Sequence, residues 1–158
     1  MRRLSKPEDM AMYDRLVIMI VLSFFAMYVL MYAMVDRLGD IHGGLDQAYM
    51  AALMTAPMAI FEVVLMGAMY PRRGWNLAIL AVSLVVGLGS FAAIRRQTLI
   101  DGREFLRAMI PHHSGAILMC RQASIEDPEL KALCRRIIDG QQAEIDQTQT
   151  LLRRPAKK

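Results

Sequence analysis

Between Phe105 and Cys120 the chain reads FLRAMIPHHSGAILMC, which brings histidine, methionine and cysteine together in one short stretch. At helical spacing, residues three or four apart share a face. Met109 precedes His112 and His113 by three and four positions, Ala116 and Cys120 continue the row from His113, and Met119 lies beside it. A thioether, an imidazole and a thiol are soft or borderline donors, the set that copper(I) selects. Adjacent histidines stand about 100° apart on a helix, so one can face inward while the other lies at the edge. Pro111 just before them removes an intrahelical hydrogen bond and frees a carbonyl. The competing reading is a packed core, with one histidine bonded to Gln141 or Gln142 and its neighbour in solvent.

Three further groups could do chemistry. Cys120 and Cys134 could form a disulfide outside the cytoplasm, bind metal as thiolates, or pack as small buried hydrophobes. Met50, Met54, Met58, Glu62 and Met66 follow an i, i+4 rhythm and form one stripe, and Met27, Met31 and Met34 make a shorter one. Methionine is ordinary filler in apolar packing, but this stripe shares its face with Glu62. That glutamate is the one ionisable residue inside the apolar segments, and a carboxylate at such a depth points to a relay or transfer surface. Its structural alternative is a protonated glutamate bonded to Ser23, Tyr28 or Ser83. His42, on a polar loop, is read as a solvated loop residue.

The elements that must position these groups follow from hydropathy. Hydrophobic residues make up 55% of the 158, with 14 methionines, and the apolar residues concentrate in the first two thirds of the chain. After a cytoplasmic N-terminal segment over residues 1–15, apolar runs over 16–35, 48–70 (broken only by Pro57 and Glu62) and 77–94 are each long enough to cross a hydrocarbon core of about 30 Å. The first is too long for a signal peptide and lacks a small-residue cleavage site, so it reads as an uncleaved span. Trp75 suits an interface, and Ser83, Gly87 and Ser90 give the third span a small-residue packing face. The basic residues Arg2, Arg3, Lys6 and Arg15, with Arg72 and Arg73, place the N-terminus in the cytoplasm, although Arg95 and Arg96 argue the other way. Three spans then put the C-terminal region outside the cytoplasm of a bacterial inner membrane.

From Leu99 the pattern becomes amphipathic. One helix is expected over about 101–125 and a second over about 128–152, broken at Asp127-Pro128; a basic tail over 153–158 follows. No β pattern appears. An antiparallel hairpin would set Cys120 against Cys134, His113 against Gln141, Met109 against Ile145 and Leu106 against Thr148. Such a hairpin over 99–152 is too small to bury a full core, and a second copy would complete a four-helix bundle. The fold class is therefore all-α: three transmembrane helices followed by the hairpin, with the lipid bilayer and a second copy as partners. The net charge of +4 comes largely from residues flanking the apolar runs, and the basic tail lacks interleaved aromatics, so nucleic acid is not an expected partner.

The stretch EFLRAMIPHHSGAILM, with DPEL and IIDGQQAEIDQ after it, resembles the family catalogued as domain of unknown function 305, whose copper-binding CopM-like members form helical bundles. The family pattern falls here on Met109, Ile110, His112, His113 and Met119, then on Ile137, Ile138, Gln141, Glu144 and Ile145. YMAALM and MGAMYPRRGWN resemble a membrane-embedded subset of the same family. The resemblance implies an extracytoplasmic, copper-associated hairpin with methionine and histidine ligands. Thr148 stands where family members often carry a methionine. Cys120 and Cys134 stand where small residues are usual, and could supply soft ligands in compensation.

The leading expectation is a membrane-anchored protein binding copper, as copper(I), for extracytoplasmic copper handling or tolerance. Its ligands would be Met109, His113 and Met119, with His112, Cys120 and Cys134 next. The alternatives are a metal-independent interaction module that dimerises through the hairpin, and a small transporter with Glu62 as its relay. No nucleophile–base pair, phosphate loop or paired carboxylate is present, so an enzyme is not expected.

Overall fold

The computed structural model describes residues 7–155, which form five α-helices and no strand. They are α1 (Pro7–Leu30), α2 (Leu45–Leu65), α3 (Arg73–Arg96), α4 (Gly102–Gln122) and α5 (Pro128–Leu152). Single turns of 3-10 helix at Met31–Met34, Leu38–Asp40 and Gly67–Met69 join the first three. The chain is all-α, as its periodicity implies. The expected boundaries shift at several helix ends, α4 for one stopping at Gln122 rather than about 125. α1 begins with Pro7, a residue whose fixed φ suits a first helical turn, and tightens into 3-10 geometry after Leu30. α2 stops at Leu65, short of the expected 70, because Gly67 and the approaching Pro71 favour a turn. α3 extends beyond the apolar run at both ends, to Arg73 and Arg96.

The chain divides into two compact units. The first comprises residues up to Leu30 together with Ala48–Thr98. Three apolar segments that lie mostly in this unit, Met10–Met34, Leu45–Leu65 and Arg73–Arg96, are each long and apolar enough to cross a membrane. Their large side chains mostly face outward: Leu22, Leu65 and Val85 are 63%, 78% and 70% exposed. The buried cluster is small and lies at one end, where Tyr13, Leu16, Val63 and Tyr70 meet. Towards the middle of the helices, a β-carbon on Gly87 would come within 3.3 Å of the Ala56 side chain, so α2 and α3 approach closely there.

The second unit comprises Met31–Gln47 and the chain from Leu99 onward. α4 starts where the Asp101 carboxylate accepts from the N–H groups of Arg103 (2.9 Å) and Glu104 (2.8 Å). α5 starts where Asp127 caps Glu129 (2.8 Å) and Leu130 (2.9 Å), with Pro128 in the first turn. The two helices run antiparallel. Arg103, near the start of α4, donates to the carbonyls of Leu152 (3.1 Å) and Arg154 (3.3 Å) at the end of α5. At the other end Cys120 and Cys134 form a disulfide, their Cα atoms 5.3 Å apart. Between them Ile110, Ile117 and Ile145 are buried to 0–1% exposure.

Segment 31–47, which the sequence presents as a loop between spans, packs into this second unit. Ser114 explains why: its hydroxyl donates to Asp40 Oδ2 (2.6 Å) and accepts from the Asp36 N–H (2.8 Å). Asp36 also pairs with the Arg121 guanidinium, and the Leu45 N–H donates to Glu104 (3.0 Å). Gly115 lets the Met34 backbone come close, since a β-carbon there would lie 3.4 Å from the Met34 carbonyl oxygen.

Candidate metal site

Helical spacing on α4 sends the motif residues to different sides. Ile110, Ser114 and Ile117 take the buried face, and His113 lies at its border with its side chain 12% exposed. His112 and Met119 are exposed, Met109 and Cys120 half-buried. The imidazoles of His112 and His113 stand nearly perpendicular, at 86°, with centroids 6.0 Å apart. The hundred-degree step between neighbours is thus realised as one inward and one outward ring.

His113 has a partner at each nitrogen. Nδ1 is hydrogen-bonded to Gln141 Oε1, and Nε2 lies 3.4 Å from a carboxylate oxygen of Glu144. Both ring nitrogens are thus occupied, one by an amide oxygen and one by a carboxylate oxygen, and neither points to an open position. To act as a ligand it must leave one of these partners. Glu144 thus has a partner in His113. Its signal was the register itself, because Glu144 follows Gln141 by three residues on the same helical face.

The cysteines come together as the hairpin register implies, and of the three readings the structure takes the disulfide. In that state neither sulfur is a thiolate, so Cys120 and Cys134 enter a ligand set only after reduction. Among the described residues no three of His, Cys, Asp and Glu converge into a metal cage. The donors of α4 that remain near the histidine pair are therefore the exposed His112 and the half-buried Met109, one turn apart. Met119 is exposed on the next turns.

Two other candidates differ from expectation. Glu62 accepts from the Tyr70 hydroxyl (3.0 Å), a partner the sequence did not suggest. Burial, reinforced by that carboxylate, pushes the Tyr70 phenol above its ordinary pKa. Along the methionine stripe, Met54, Met58 and Met66 are 36–44% exposed while Met50 is half-buried. His42 is no solvated loop residue: it is half-buried, its carbonyl accepts from Tyr32 (2.9 Å), and its Nδ1 is buried without a partner among the described residues.

A family model described as "Domain of unknown function (DUF305)" matches residues 92–152, which contain α4, α5 and their connection. An uncharacterised protein of Acanthamoeba polyphaga mimivirus is 33% identical over 140 residues, spanning 87% of this chain and 90% of that protein. The chain belongs to the DUF305 family. The viral relative extends the likeness well beyond the segment that the family model covers. No solved structure matches the chain. Within this DUF305 protein the family segment coincides with α4 and α5, and so with His112, His113 and the disulfide.

Proposed function

We propose that the chain is a membrane-anchored copper(I)-binding protein that handles copper outside the cytoplasm of a bacterial inner membrane. In this reading α1–α3 cross the bilayer, and the α4–α5 pair closes with a second copy into a four-helix bundle. The observation that carries it is the division of labour in the histidine pair. His113 is held inward by Gln141 and Glu144, and His112 is left outward beside Met109. One imidazole and one thioether make half of a soft site, and the same pair from a second copy would complete it. The likeness of this motif to the CopM-like copper-binding members of the family supports the same chemistry.

Titration of the full-length protein in detergent with copper(I), against a competing chelator, tests this. A Met109→Leu/His112→Ala variant should bind at least about tenfold more weakly, since even outer-shell changes at metal sites cost that much. Unchanged affinity overturns the reading. The doubly bonded state of His113 favours a second one, in which α4 and α5 associate without metal. Sedimentation distinguishes them: the second predicts the same oligomer with and without a copper chelator.

A further inference from the structure

The first unit encloses an apolar groove of about 550 Å³ between α1, α2 and α3. Its walls include Val17, Phe24, Ala56, Trp75, Val82 and Val86. Of its two hydroxyl-bearing residues, Thr55 already donates to the Ala51 carbonyl (2.8 Å). A polar solute would find no partner there, whereas hydrocarbon loses nothing on entering. From Trp75 to Val86 the groove follows α3 for about 16 Å at the helical rise. That is about half of a 30 Å hydrocarbon core, the depth of one leaflet.

One end of the groove meets a polar cluster. The Tyr13 hydroxyl donates to Asn76 Oδ1 (2.8 Å) and accepts from the Arg72 N–H (3.1 Å), and the rings of Tyr13 and Trp75 are 6.1 Å apart. Tyr13 stands one turn before Val17, and Arg72 three residues before Trp75, so both lie at the mouth. Arg72 Nη2 is buried with no acceptor among the described residues. Of the described carboxylates towards this end, Glu62 is taken by Tyr70 and Asp14, next to Tyr13, is exposed. Arg73 beside it is exposed. A guanidinium nitrogen without an acceptor is costly, and a phosphate oxygen satisfies it with a charge-assisted bond.

We infer that the groove holds one acyl chain of an anionic phospholipid whose phosphate is bound by Arg72 and Arg73. The inference rests on the membrane part of the proposed function and not on copper. Trp75 is the single tryptophan of the chain and lines the groove, so its fluorescence reports occupancy directly. The full-length protein is placed in phosphatidylcholine vesicles containing an equal minor fraction of either dibrominated phosphatidylglycerol or dibrominated phosphatidylcholine. The brominated anionic lipid should quench as though enriched about fivefold near Trp75, the preference expected of one basic side chain at the surface. Arg72→Gln/Arg73→Gln should bring the two lipids to parity. Ala78→Phe, which fills the groove and keeps both arginines, should reduce quenching by both. Equal quenching of the native protein by the two lipids overturns the site. Loss of the preference on adding glycerol phosphate also overturns it, because the arginines would then bind free phosphate. Quenching by neither lipid overturns the membrane reading itself.

Discussion

In the unit built on α1–α3, the large buried side chains gather at one end, around Tyr13, Leu16, Val63 and Tyr70, and elsewhere the buried positions carry small residues such as Ala51, Ala56, Ala59 and Ser83. Most large apolar side chains there point away from the protein. In the unit built on α4 and α5, three isoleucines fill the helix interface and polar side chains face outward. Both units are wholly helical, so helix content does not separate them; the partner for their apolar surface does. α4 and α5 bury one stripe against each other, as water requires of an amphipathic helix. α1–α3 are apolar on nearly every side and leave that surface for lipid or for another chain. Cohesion is therefore supplied differently: by large-residue packing, a disulfide and buried hydrogen bonds in one unit, and by small-residue contacts such as Gly87 on Ala56 with a cluster at one end in the other.

The sharpest way to break this contrast is to delete methyl groups in each unit. Ile117→Ala should lower unfolding stability in detergent by about 2–5 kcal/mol, because a fully buried side chain leaves a cavity. Val85→Ala should change it by less than about 0.5 kcal/mol. Equal losses would mean that the outward face of α3 is packed after all. The Cys120→Ala/Cys134→Ala variant should lose about 3 kcal/mol, the figure for a closed loop of this length. Chemical denaturation with and without reductant checks it, and the variant alone should be indifferent to reductant. Ser114→Ala removes the acceptor of the Asp36 N–H and the donor to Asp40, and should cost about 1–3 kcal/mol. Hydrogen exchange at residues 36–40 should rise with it. Smallest is the difference between the histidines: His113→Ala should cost about 1 kcal/mol of stability. His112→Ala should cost almost none while weakening copper(I) binding more. The opposite order would return the ligand role to His113.

Much of this was legible in hydropathy and spacing. The three apolar runs, the break at Asp127-Pro128 and the facing of Cys120 with Cys134 and His113 with Gln141 all follow from period and register. What escaped depends on contacts distant in sequence. Nothing in DRLGDIHGGLDQ announces that Asp36 and Asp40 bond to Ser114, since a short polar loop between spans carries no periodicity. Ser114 itself was hidden beside the more conspicuous histidines. The structural alternative for Glu62 had it reach a hydroxyl on Ser23, Tyr28 or Ser83, yet the helix ends at Leu65 and turns Tyr70 back onto it. The choice between disulfide and thiolate needed the distance between two α-carbons, which spacing alone brackets but does not fix.

The central claim is that soft-metal chemistry belongs to α4 and not to the methionine stripe of α2. Methyl NMR of protein labelled at its methionine methyl carbons measures this directly, with copper(I) added stepwise to the full-length chain. The Met109 methyl should shift and saturate first, while those of Met54, Met58 and Met66 hold their positions. A shift of the α2 methyls with Met109 unmoved would contradict the account.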